Sequence, residues 1–142
     1  MNVLVDTPLW SLAFRRKLRD RNRQEGFLVQ ELTELVGRGD AQMIGVVRQE
    51  LLSGIREHAQ FLRLRNALRL YEDTPLETED HEEAARMSNT CRRQGIAGSS
   101  IDFLLCAVAA RRRWAIFTTD GDFKRYARVL NLQLLPIEGA PH

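Results

Sequence analysis

Apolar positions along the chain alternate between short runs and helical spacing. Asn2–Val5 is a short apolar run that ends in Asp6 and then Thr7-Pro8. It predicts a buried strand delivering a carboxylate to its C-terminal edge, where open α/β sheets carry their sites. Thr7 can cap a short helix with Pro8 at its first position and Leu9, Trp10, Leu12, Ala13 and Phe14 along it. Over Gln24–Gly37, Phe27, Leu28, Leu32, Leu35 and Val36 follow helical spacing. Gly37-Arg38-Gly39-Asp40 ends that helix, and Ala41–Gly45 reads as a short strand. Val46–Ile55 reads as a helix whose inner stripe is Val47, Leu51, Gly54 and Ile55, with Glu50 on the same stripe.

His58–Leu70 continues as a helix, and Glu72–Leu76, with Pro75, is a loop. Thr78 opens the next helix, with Glu79, Asp80 and Glu82 near its start and Arg92 and Arg93 at its end. That order complements the helix dipole. Gly95 and Gly98 break it, and Ser99–Ala110 is the most apolar helix. Ala115–Thr118 is a strand turned by Thr119-Asp120-Gly121-Asp122, followed by a helix over Phe123–Leu130 and a last strand over Gln133–Ile137. Alternating strands and helices imply an α/β fold with a parallel sheet covered on both faces. At 142 residues the chain reads as one domain, 1–142.

Composition narrows the class. Hydrophobic residues at 44% and charged residues at 28% fit a globular chain rather than a disordered one. The longest apolar run, Phe103–Ala110, is far short of the ~20 residues of a membrane span, and no signal peptide is visible. Cys91 and Cys106 lack metal-ligand spacing, which fits packing thiols in a reducing, cytoplasmic setting. The net charge is +2. If Asp6, Glu50, Asp102 and Asp120 converge, they carry −4 and leave +6 elsewhere, largely on arginines. Arginines cluster at 15–23, 63–69 and 111–113, as solvated helix faces or as phosphate contacts.

Each acid alone has an ordinary explanation. Asp6 suits an Asx turn. Asp102 suits a capping box with Ser99, and Asp120 and Asp122 suit a turn around Gly121. Glu50 resists this, because an enclosed carboxylate with Gly54 one turn on needs a cation or a proton. Asp102 shares its face with Leu105, Cys106 and Ala109 and poses a milder form of the same problem. Acids gathered from several elements suit Mg²⁺ or Mn²⁺, and the lack of His or Cys among them argues against zinc. No Walker loop or Gly-rich dinucleotide turn is present. A phosphatase of the haloacid dehalogenase type would need an Asp where Pro8 stands, and a receiver domain would need an acidic pair by the first strand.

Four stretches in order resemble the motifs of PIN-domain proteins, especially the VapC toxins of bacterial toxin–antitoxin pairs. They are Val3-Leu4-Val5-Asp6-Thr7-Pro8-Leu9-Trp10, Val47-Arg48-Gln49-Glu50-Leu51-Leu52-Ser53-Gly54, Ile101-Asp102-Phe103-Leu104-Leu105-Cys106-Ala107 and Phe117-Thr118-Thr119-Asp120-Gly121-Asp122-Phe123. The resemblance spans nearly the whole chain. It implies an α/β/α sandwich around a mostly parallel sheet. It also implies a Mg²⁺- or Mn²⁺-dependent endoribonuclease toxin that cleaves structured RNA such as tRNA or rRNA, a VapB-like antitoxin that blocks it, and a homodimer. Carried onto this chain, Asp6, Glu50, Asp102 and Asp120 are catalytic; these four and Asp122 are metal ligands; and Thr118 supports a carboxylate or water. Arg15, Arg16 and Arg112 are the expected contacts to the RNA backbone. The rival reading is a module of the same fold that binds RNA or protein without cutting.

Overall fold

A computed structural model describes residues 1–15 and 17–137. Strand β1 (Val3–Val5) is followed by helix α1 (Thr7–Arg15), a 3₁₀ turn (Leu18–Asp20), helix α2 (Arg23–Gly37) and strand β2 (Ala41–Gln42). Helices α3 (Gly45–Leu52), α4 (His58–Leu68), α5 (Thr78–Arg93) and α6 (Ser100–Arg112) come next. Strand β3 (Ala115–Phe117), helix α7 (Asp122–Tyr126) and strand β4 (Gln133–Leu134) complete the order.

The sheet order is β2-β1-β3-β4, and every pairing is parallel. Leu4 pairs with Gln42 on one side and with Ile116 on the other. β1 and β3 are buried along their whole length, as central strands of a two-sided parallel sheet should be. The chain leaves β1 toward β2, then doubles back past β1 to reach β3. With right-handed crossovers, that reversal puts the two connections on opposite faces, giving the α/β/α sandwich. It also opens a crevice at the carboxyl ends of β1 and β3. The Asp6 N–H donates to the Phe117 carbonyl at 2.9 Å and locks those two ends together.

Several elements are shorter than the hydrophobic pattern predicts. The last strand holds only Gln133 and Leu134, and α7 stops at Tyr126 rather than Leu130. Leu130 is still buried, reached through turns in which its N–H bonds the Tyr126 carbonyl. α3 ends at Leu52, before the left-handed Gly54. Its enclosed side chains are Val47 and Leu51, while Glu50 faces solvent. The expected burial of Glu50 is therefore corrected. The enclosed stripe is narrow, and a carboxylate at its margin keeps its water rather than bear the cost of enclosure.

α5 and α6 pack along each other, and Asp80 is sealed between them with no solvent exposure. Arg111 Nη1 and Arg112 Nη1 each donate to Asp80 Oδ1 at 2.7 Å, and Arg112 Nη2 donates to Oδ2 at 2.9 Å. The Glu77 N–H adds a bond to Oδ2 at 2.8 Å. These bonds hold the Asp80 carboxyl well below the usual carboxylate range, with Arg112 contributing most. Arg112 also donates to the Val108 and Pro75 carbonyls. Its guanidinium is spent inside the fold, so the expectation that Arg112 grips RNA gives way to a structural role. Among the described residues, no helix is long and apolar enough to cross a membrane.

Candidate metal centre

Asp6 leaves β1 directly into the crevice and is 5% exposed. Its two oxygens are both engaged. Oδ1 accepts the Thr7 N–H at 2.8 Å, so Asp6 rather than Thr7 caps the start of α1. Oδ2 accepts the Thr118 hydroxyl at 2.7 Å. Burial pushes the Asp6 carboxyl up to about 6, against the two hydrogen bonds that pull it down, and nearby Asp102 and Asp120 push it further up.

Thr118, also buried, joins the ends of β1 and β3 chemically. While its hydroxyl donates to Asp6, its oxygen accepts the Asp120 N–H at 3.0 Å. Asp120 Oδ1 in turn accepts the Asp122 N–H at 2.9 Å, a turn closed across Gly121. The sequence thus folds Thr118–Asp122 into a hook that carries two carboxylates to one side.

The third carboxylate arrives from α6. Ser99 caps that helix by accepting the Asp102 N–H at 3.1 Å, half of the anticipated capping box. The Asp102 side chain is left to face the hook. Its Oδ2 accepts the Tyr126 hydroxyl at 2.7 Å. Burial raises the Asp102 carboxyl, the bonds from Tyr126 and Ser99 oppose that, and Asp120 and Asp122 raise it again. One oxygen each of Asp102, Asp120 and Asp122 lie within 4.8 Å of one another, all three half-buried. An all-oxygen donor set at that spacing fits a hard divalent cation.

Of the five acids singled out in the sequence, the structure gathers Asp102, Asp120 and Asp122 most tightly. Asp6 stands behind them, coupled electrostatically to Asp102 and Asp120. Glu50 sits at the rim, where its Oε1 accepts the Thr7 hydroxyl at 2.8 Å. Arg15 is exposed and lines an open groove with Pro8, Ser11, Lys17 and Thr119. Arg16 lies outside the described residues. Tyr126, Thr7 and Arg125, which donates to Asp122 at 3.2 Å, were not singled out as site residues. The available signal for Tyr126 was its spacing: four residues after Asp122, it falls on the same side of a helix.

The family model for the PIN domain matches residues 3–129. FitAcB from Neisseria gonorrhoeae superposes with a TM-score of 0.76 at 17% identity, covering 97% of this chain and 99% of that one. VapBC2 from Rickettsia felis, bound to a DNA fragment from its promoter, gives 0.71 at 16% identity, covering 95% and 98%. A toxin–antitoxin complex from Klebsiella pneumoniae gives 0.61 at 18% identity, covering 86% and 90%. A search of curated proteins found no match. The all-parallel sheet, the acid-lined crevice at its carboxyl edge and the match over residues 3–129 together place this chain in the PIN domain family.

Proposed function

We propose that this chain is a divalent-metal-dependent endoribonuclease toxin that cleaves structured RNA such as tRNA or rRNA. The supporting observation is the convergence of the Asp102, Asp120 and Asp122 oxygens within 4.8 Å beside the enclosed Asp6. PIN domains are generally nucleases that use divalent metals. Three carboxylates this close repel one another, and a Mg²⁺ or Mn²⁺ ion relieves that repulsion with the oxygen ligands it prefers.

The residues divide the work. Asp102, Asp120 and Asp122 hold the ion, with Asp6 and Glu50 completing the acidic ring from behind and from the rim. Such an ion supplies Lewis acidity and lowers the pKa of water toward neutrality. Thr118 fixes Asp6 and Asp120 relative to each other through one hydroxyl. Asp6, enclosed and with its two oxygens held by the Thr7 N–H and the Thr118 hydroxyl, adds fixed negative charge behind the ion. Arg15, exposed beside Thr119, contacts the phosphate backbone of the substrate.

Support for a toxin role comes from the similar structures, one of which is a toxin–antitoxin complex. A VapB-like partner places a basic side chain in the acidic crevice and blocks it. The protein acts in the cytoplasm as a homodimer. The test is incubation of purified protein with total RNA and tRNA at fixed salt. Cleavage in Mn²⁺ that EDTA abolishes supports the reading, and binding of RNA without cleavage in any divalent ion refutes it.

A further inference from the structure

We infer that Tyr126 is a positioning residue for the metal centre, setting the distance between Asp102 and the Asp120–Asp122 hook. The inference rests on the metal-site reading above.

The triad has a built-in problem of registration. Asp120 and Asp122 share one short turn, so their separation is fixed by local bonds. Asp102 comes from α6, a different element, and nothing in the hook itself determines where its carboxylate stands. The Tyr126 hydroxyl supplies that link, since it belongs to α7, which grows out of the hook, and it donates to Asp102 Oδ2 at 2.7 Å. An ionised carboxylate only accepts hydrogen bonds, so the phenol is the donor.

The hydroxyl can act as a ruler because its ring is enclosed and packed on several sides. Tyr126 is fully buried, tilted against Phe103 at 4.9 Å between ring centroids and edge-on to Phe123 at 5.3 Å. The chain just before α6 runs against the phenol. A Cβ placed on Gly98 would lie 2.4 Å from the Tyr126 oxygen and 2.8 Å from two ring carbons. Gly98 therefore leaves the space that the phenol fills, and its role is this close approach rather than the helix break alone. Partners that orient a metal ligand commonly matter ten- to a hundredfold in metal affinity.

The experiment is Mn²⁺ titration by calorimetry on wild type, Tyr126→Phe and Gly98→Ala, with metal-free melting curves beside it. Tyr126→Phe keeps the ring and its packing and removes only the oxygen. It should melt within a few degrees of wild type without metal, yet bind Mn²⁺ roughly tenfold more weakly. Gly98→Ala keeps the hydroxyl but drives it off Asp102, and a comparable loss of Mn²⁺ affinity is expected. In an Asp102→Asn background, adding Tyr126→Phe should change Mn²⁺ binding no further. Wild type that binds Mn²⁺ with Tyr126→Phe equal to it overturns the positioning role alone. Wild type that binds no Mn²⁺ overturns the metal-site reading and this inference with it.

Discussion

The Thr118 hydroxyl stands between Asp6 and Asp120, donating to Asp6 Oδ2 at 2.7 Å and accepting the Asp120 N–H at 3.0 Å. One oxygen atom thereby couples the ends of the two central strands. Thr118→Val keeps the shape and removes both bonds. It should destabilise the fold by about 1–3 kcal/mol, because a buried carboxylate and a backbone N–H each lose a partner. Thr118→Ser should recover most of that. Denaturant unfolding of the metal-free protein measures both.

Asp6 makes the metal-free protein less stable as pH rises. Unfolded, its carboxyl titrates at its ordinary 3.8; folded, at about 6. Between those values the folded state holds the extra proton, so stability falls as pH rises, and the penalty is complete above about 6. Its size is at most roughly 3 kcal/mol. Asp6→Asn removes this pH dependence. Its amide nitrogen cannot accept one of the two bonds Asp6 receives, which sets a constant offset, so the variant's stability relative to wild type should rise between about pH 4 and pH 7. Urea midpoints across that range, with EDTA present, check the sign.

Asp80 has the opposite dependence. Its carboxyl is held well below the usual range by Arg112 and Arg111, so the stability it contributes is present at neutral pH and is lost on acidification. Arg112→Ala should cost roughly 3 kcal/mol, since it strips the main partner from an enclosed charge. At the same salt concentration, its RNA affinity should match that of wild type.

Arg15 is the contrasting arginine, exposed and beside the crevice. Arg15→Ala should leave stability unchanged within about 0.5 kcal/mol. It should weaken RNA binding and reduce the slope of log affinity against log salt by about one contact. Binding measured at three salt concentrations separates this from a general loss of fold.

The pair Arg15 and Arg112 shows how far the sequence could be read. The parallel, two-sided sheet and the acids at the strand ends follow from local pattern, because Asp6 and the Thr118–Asp122 hook adjoin the strands that place them; the order of the strands does not. Whether an arginine meets solvent or a buried acid depends on a partner 32 residues away, as with Arg112 and Asp80. No local spacing carries that information. Tyr126 is a partial case: its spacing puts it on the side of α7 that carries Asp122, but the aspartate its hydroxyl meets lies 24 residues earlier on another helix. Glu50 failed for a subtler reason: periodicity puts it beside Val47 and Leu51, but the width of the enclosed stripe is set by what packs against α3.

Asp102→Asn tests the central claim most directly. The cap of α6 uses the Asp102 N–H rather than its side chain, and an Asn oxygen still accepts from Tyr126, so the fold should persist. Wild type should cut tRNA in Mn²⁺ and melt higher with the ion than without it, because binding only the folded state stabilises it. The account predicts that Asp102→Asn melts at least as high as wild type in EDTA, gains little from Mn²⁺ and cuts no RNA. A variant that still cuts RNA, with the full rise in melting temperature on adding Mn²⁺, would contradict it.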